Sequence, residues 1–205
     1  KTKKKVEIAI IGKYVNLKDA YKSLDEALTH GGIANNLKVN LIRIESDFLK
    51  SNEIKDKLKS ASGILIPGGF GKRGTEGKIA AISYARKNKI PFLGICFGMQ
   101  MAVIEFARNN LNIKKATSSE FGPSKASVVG LMNEWLKSGK LIKGTDKELG
   151  GTMRLGSYEA RLKKNSLISK IYKSIKINER HRHRYEVNIN YKEAFEKKGM
   201  IFSGL

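Results

Sequence analysis

The chain has 205 residues, 40% of them hydrophobic, and its 40 Lys and Arg outnumber 19 Asp and Glu to give a formal charge of +21. That length is enough for one domain or slightly more around a sizeable core; no apolar run approaches the ~20 residues of a membrane helix, and one cysteine excludes an internal disulfide. The charge invites a nucleic-acid partner, but only nine of the basic residues are arginine and no zinc-knuckle spacing or aromatic-rich sheet signature accompanies them, so the lysines read as solvated surface and neither nucleic acid nor membrane is expected as a partner. The first five residues, Lys1-Thr2-Lys3-Lys4-Lys5, are charged and lack the apolar stretch of a signal peptide. With the lone thiol, they point to a reducing, cytoplasmic setting.

In chain order, short apolar runs alternate with helical patterns. Val6–Ile11 reads as a strand and Asp19–Thr29 as a helix; Val39–Ile44 and Leu49–Lys59 repeat the pair. Gly63–Pro67 with Glu76–Lys87 makes a third unit, and Ile90–Leu93 with Met99–Asn110 a fourth. Four successive βα units predict a doubly wound, mostly parallel sheet with right-handed crossovers, whose sites lie beyond the carboxyl ends of the strands. The second half is less regular. Strands are expected over Ser127–Met132, Thr152–Leu162 and Glu179–Val187, helices over Ser166–Ser174 and Tyr191–Lys198, and a further strand beginning at Met200-Ile201-Phe202. The polar stretch Lys137–Lys147 reads as a mobile loop.

The chemistry concentrates at two glycine-rich turns. Gly94-Ile95-Cys96-Phe97-Gly98 places the cysteine where a strand turns sharply into a helix, a geometry that needs small neighbours and presents the side chain clear of the sheet. The following helix aims backbone N–H groups at the same point, favouring a thiolate and an anionic intermediate. Pro67-Gly68-Gly69-Phe70-Gly71 ends the third strand, and its glycines can bring N–H donors close to a ligand, as an oxyanion hole requires. A buried structural cysteine and an ordinary turn are the bland readings of the same residues.

A cysteine nucleophile needs a base, and the chain offers His30, His181 and His183. His30 precedes Gly31-Gly32, where it reads as a stabiliser of a helix C-terminus. In Glu179-Arg180-His181-Arg182-His183-Arg184-Tyr185-Glu186, strand alternation puts His181, His183 and Tyr185 on one face and the three arginines on the other. Either one histidine is the base or the segment is a substrate clamp and structural network; residue pattern alone leaves both open. No third ligand sits at metal-binding spacing, so no metal site is expected.

These residues carry a resemblance. Pro67 through Gly74 with Gly77-Lys78-Ile79, Leu93 through Gln100, Gly12-Lys13-Tyr14-Val15 with Asp19-Ala20-Tyr21-Lys22-Ser23, Ser118-Ser119-Glu120-Phe121, Gly150 through Gly156 and Glu179 through Asn188 together resemble the glutamine amidotransferase domain of the CTP synthases. The Gly-x-Cys-x-Gly turn is shared by all class I amidotransferases, whereas the Arg-His-Arg-His-Arg-Tyr-Glu-Val-Asn and Gly-Gly-Thr-Met-Arg-Leu-Gly runs are specific to this family, and the match covers nearly the whole chain in order.

The resemblance implies a flavodoxin-like α/β fold with additional antiparallel strands in the second half. It implies a glutaminase whose thiolate attacks the side-chain amide of L-glutamine, forms a glutamyl thioester and releases ammonia. An N-terminal synthase domain would join that ammonia to UTP with ATP and Mg²⁺, in a homotetramer; this domain itself would need no cofactor. Residue by residue, Cys96 matches the nucleophile. Gly69 and Phe97 match the oxyanion donors, and Gly69, Phe97, Gly98, Met99, Gln100, Glu120 and Arg184 match glutamine-contacting positions. In the family, the base and its orienting carboxylate lie in a Phe-His-Pro-Glu-Phe segment downstream of the Phe-Ser-Gly found here at Phe202-Ser203-Gly204, so His181 and His183 are expected to be clamp or structural residues. The expected organisation is therefore an amidotransferase domain over 1–205 that lacks its C-terminal segment, with 1–5 a lysine-rich linker from the synthase domain. Such a piece, without its base, would have little activity by itself. A non-catalytic regulatory module, or another cysteine hydrolase on the same scaffold, is the alternative.

Overall fold

The computed structural model describes residues 4–15, 17–50, 52–131, 134–137, 140–143 and 153–205, which form two compact units, Lys1–Glu105 and Phe106–Leu205. The linker residues Lys1–Lys3 and the Gly150-Gly151-Thr152 part of the glycine-rich motif lie outside the described residues.

In the first unit the four predicted strands form one parallel sheet: β1 (Lys4–Gly12), β2 (Leu37–Glu45), β3 (Gly63–Ile66) and β4 (Phe92–Gly94), in the order β2-β1-β3-β4. This is the flavodoxin-like order, in which the chain reverses direction across the sheet between β1 and β3. The central strands are apolar in runs, not in alternation, because helices cover parallel sheets on both faces. Ala9, Ile10, Ile11, Ile64, Leu65 and Ile66 are all buried. Helix α1 (Lys22–Ala34) follows a 3-10 turn, Lys18–Tyr21; α2 spans Ile54–Leu58, α3 Thr75–Lys87 and α4 Phe97–Asn110.

Two expectations shift here. α1 runs through His30 and the glycine pair and stops one turn later, where the Asn35 backbone and side-chain amides cap Gly31 O and Asn36 takes the left-handed conformation. His30 is therefore inside the helix and not at its end. The helix read over Leu49–Lys59 is only five residues long. Leu49 is extended and buried in the core, so helical geometry begins only beyond it.

The second unit contains β5 (Thr117–Ser118), β6 (Ser127–Leu131), β7 (Glu134–Lys137), β8 (Lys140–Lys143), β9 (Arg154–Arg161), β10 (Lys176–His183) and β11 (Tyr185–Val187), with α5 (Leu167–Tyr172) and α6 (Lys192–Lys197). β11, β6 and β5 form a three-stranded sheet, β9 and β10 an antiparallel ribbon. Phe195 is fully buried and its ring meets those of Phe106 and Phe202.

Three readings of this half are corrected. The stretch Lys137–Lys147, read as a loop, includes strand β8, which pairs antiparallel with β7, Trp135 opposite Ile142 and Leu136 opposite Leu141; residues 144–147 lie outside the described residues. The strand read over Glu179–Val187 breaks at Arg184: residues up to His183 pair with β9, and those from Tyr185 pair with β6 in another sheet. His181 and His183 do share the less exposed face of the ribbon, but Tyr185 belongs to a different surface. Finally, Met200–Phe202 is not a strand. The chain there meets the end of β9 through a single bridge, Leu162 to Gly204, flanked by Lys163 N–H to Ser203 O at 2.8 Å and Arg161 N–H to Leu205 O at 2.7 Å.

Candidate functional site

Cys96 has φ +50°, a left-handed conformation that costs a side-chain-bearing residue roughly 1–2 kcal/mol. The turn is held by Ile95 N–H to Ile66 O at 3.0 Å, Gly98 N–H to Ile95 O at 2.9 Å and Gln100 N–H to Cys96 O at 3.1 Å. The flanking glycines are sterically required. A Cβ on Gly94 would stand 2.6 Å from the Gly98 carbonyl carbon, and one on Gly98 would stand 2.2 Å from Ile66 O. Strain on the cysteine, with no room for side chains on either flank, is the signature of a nucleophile elbow. The thiol is half-buried at the head of the 14-residue helix α4, where the positive end of the helix dipole favours negative charge.

The glycine loop after β3 abuts this turn. A Cβ on Gly68 would lie 3.7 Å from the Cys96 Cβ, and one on Gly69 would lie 3.9 Å from the Phe97 ring. Loop and elbow therefore bring Gly69, Cys96, Phe97, Gly98, Met99 and Gln100 together. Phe97, Gly98 and Gln100 are buried, whereas Met99 is largely exposed.

Beside them, beyond the carboxyl ends of β1 and β3, opens a cavity of about 250 Å³ lined by Gly12, Lys13, Tyr21, Gly69, Lys78 and Phe97, among others. Lys13 Nζ donates to Phe70 O at 2.7 Å, tethering the glycine loop, and Tyr21 donates its hydroxyl to Lys13 O. Phe70 itself is 81% exposed. Lys78 is the unexpected residue: it is buried, its ammonium donates to Ser46 Oγ at 2.7 Å, and burial, with the neighbouring Lys13 charge, pushes its pKa down to about 8. Sequence reasoning quoted Lys78 within a motif but assigned it no task. The available signal was its place on the apolar face of α3, in register with Ala81, Ile82 and Ala85.

In the second unit, Glu120 sits in a 3-10 turn after β5, where Ser118 Oγ accepts from its N–H at 3.2 Å. Arg184 occupies the corner between β10 and β11, and its Nε is buried without a hydrogen-bond partner. Both charges act on the Tyr185 phenol. Burial raises its pKa, Glu120 pushes it further up and Arg184 opposes them. Around the same corner, His183 Nε2 meets Glu186 Oε1 at 2.8 Å and Arg154 Nη1 meets the same oxygen at 3.1 Å. Burial works against ionisation of Glu186, but the His183 hydrogen bond and the Arg154 charge outweigh it and hold the carboxyl below its ordinary value. The His181 ring packs edge-on against Tyr158 at 5.5 Å and stands 5.1 Å from the His183 ring. Burial, then the His183 and Arg154 charges, lowers its pKa. Both histidines are thus engaged in a structural network, and Glu186 and Arg154 are members of it that the residue pattern did not single out. Among the described residues no three His, Cys, Asp or Glu side chains converge as metal ligands, and no helix is long and apolar enough to cross a membrane.

The comparisons with known proteins agree with this arrangement. The family model for glutamine amidotransferase class-I matches residues 16–205. The chain is 76% identical to a CTP synthase of Pelagibacter ubique over 203 residues, covering 99% of the chain and 38% of that relative, and 57% identical to one of Zymomonas mobilis, covering 98% and 37%. It thus spans under two fifths of the length of these relatives. The solved Trypanosoma brucei CTPS glutaminase domain with bound acivicin superposes with a TM-score of 0.84 at 38% identity, covering 97% of this chain and 74% of that one. The chain belongs to the class-I glutamine amidotransferase family, as a glutamine amidotransferase domain of the CTP synthase type.

Proposed function

We propose that this domain hydrolyses L-glutamine through Cys96 and passes the ammonia to a synthase domain that aminates UTP to CTP. The observation that carries the reading is the strained Cys96 at the head of α4, with the Gly68-Gly69 backbone packed against it. The Cys96 thiolate attacks the amide carbon of glutamine, and the carbonyl oxygen takes up negative charge. The N–H groups of Gly69 and Phe97 are the donors assigned to that oxygen, and preorganised donors of this kind each contribute roughly 3–4 kcal/mol to such steps. The C–N bond breaks as the amide nitrogen takes up the proton that the thiol gave up and leaves as ammonia, and water cleaves the glutamyl thioester to release glutamate and restore the thiol.

Gly98, Met99 and Gln100 are assigned to the bound amino acid. A carboxylate suits its α-ammonium and a guanidinium its α-carboxylate, which are the assignments of Glu120 and Arg184. The buried, unpartnered Arg184 Nε supports the second of these. His181 and His183 are left outside the chemistry, since their rings are committed to Tyr158 and Glu186. ATP and Mg²⁺, which the family resemblance implies for the whole enzyme, are not given a role in this domain. They are assigned to the synthase domain, in a cytoplasmic homotetramer.

The test is labelling of the full-length protein with a glutamine-mimicking electrophile, read by intact mass and peptide mapping. One adduct on Cys96 is expected, blocked by L-glutamine and missing in Cys96→Ala. Labelling that glutamine does not protect, or unchanged glutaminase activity in Cys96→Ala, would refute the assignment.

A further inference from the structure

The corner at Arg184 is closed by three residues that no part of the proposed chemistry uses. Arg154 and His183 are direct partners at the end of the β9–β10 ribbon, whereas Glu186 belongs to β11 and lies opposite Gly130 of β6. The Glu186 carboxylate therefore ties one sheet to the last pair of another, taking His183 Nε2 at 2.8 Å and Arg154 Nη1 at 3.1 Å on one oxygen. Only Arg184 and Tyr185 separate the two ends of this tie, so the backbone that carries the Arg184 guanidinium is fixed from both sides. Glu186 does not neutralise Arg184. It is engaged by the His183 ring and the Arg154 guanidinium, and the Arg184 Nε remains buried without a hydrogen-bond partner. A half-buried guanidinium whose Nε is desolvated and unpaired is suited to an anion from outside. Holding its backbone fixes the point from which the side chain reaches out, so less ordering is left for binding to supply.

We propose that Glu186 is a positioning residue, which by bridging His183 and Arg154 locks the β10–β11 corner and presents Arg184 to the α-carboxylate of glutamine. The proposal rests on the assignment of Arg184 to that carboxylate. Positioning of this kind acts on ground-state and transition-state binding alike, so it is expressed in KM more than in kcat.

The test is a double-mutant cycle in the full-length protein with glutamine hydrolysis as the readout. Glu186→Ala is expected to raise KM for glutamine by about tenfold, the scale of one charge-assisted hydrogen bond, with kcat changed less than about twofold. Glu186→Gln, whose amide oxygen can still accept from both His183 and Arg154, should recover most of that loss and guards against a folding defect in the alanine variant. In an Arg184→Ala background, Glu186→Ala should add nothing further, because the group it positions is gone. An undiminished effect in that background, or a fall in kcat with KM unchanged, overturns the positioning role. If Arg184→Ala itself leaves KM unchanged, the assignment of Arg184 fails first, and the proposal falls with it.

Discussion

Lys78 makes the pH dependence of folding measurable at one residue. The residue is 3% exposed, its ammonium is held by Ser46 Oγ, and its pKa falls from the usual 10.5 to about 8, chiefly through burial. A drop of that size corresponds to ~3 kcal/mol of unfavourable interaction with the charged form, taking about 1.36 kcal/mol per pH unit. The sign follows from proton binding. Between about pH 8 and 10.5 the unfolded chain holds the Lys78 proton and the folded chain has released it, so raising the pH through that window stabilises the fold. Below about pH 8 both states are charged and the whole penalty is present. Urea unfolding of the wild type and Lys78→Met from about pH 7 to 10.5 isolates the contribution, since other titrating groups largely cancel in the difference. The unfolding free energy of the wild type should rise by ~3 kcal/mol relative to the variant across the window. A difference that stays flat to within about 0.5 kcal/mol, the usual error of additivity, would show that the ammonium is solvated and the reasoning wrong.

Two further outcomes concern the framework of the elbow. Arg86 on α3 makes a bidentate pair with Glu105 on α4, its Nε and Nη2 reaching the carboxylate at 3.0 and 2.8 Å, and Glu105 is 1% exposed. Arg86→Met should destabilise the protein by about 3 kcal/mol in urea unfolding, because it leaves a buried carboxylate without its guanidinium, and adding Glu105→Leu should restore much of that; no restoration would mean that the charge is not the cause. Cys96→Gly, in contrast, removes a side chain from a left-handed position and should raise stability by about 1 kcal/mol while abolishing glutamine hydrolysis. A variant that is less stable than the wild type would show that the turn stores no strain.

What could be read from the chain divides along a physical line. The four βα units were legible because each strand is a short, mainly apolar run followed in sequence by a helical pattern, and the clearest, β3, is four residues, all buried, directly followed by the glycine loop. The elbow was legible for a related reason. Gly94 and Gly98 face backbone within a few residues or across one strand, so the steric demand that selects glycine is local. The break at Arg184 was not legible. The two-residue alternation runs unchanged from Arg180 to Tyr185, and it carries no mark of which partner each half takes; that choice depends on β9 and β6, far away in the sequence. Lys78 escaped notice for the opposite reason. Its helical position on the buried face was visible, but a lysine in so basic a chain reads as surface, and its burial is made tolerable by the Ser46 hydroxyl with the Asp47 and Glu45 carboxylates, delivered by the end of β2 and the turn after it. Both cases place the hidden information in contacts made across the fold by polar groups, whose burial is unfavourable until a distant partner arrives. The Arg184 corner follows the same rule, since the tie at Glu186 exists only after two separate sheets have formed. A side chain whose orientation depends on such late contacts should therefore lose its alignment before the core unfolds, which makes the corner more sensitive than the elbow to mild denaturant.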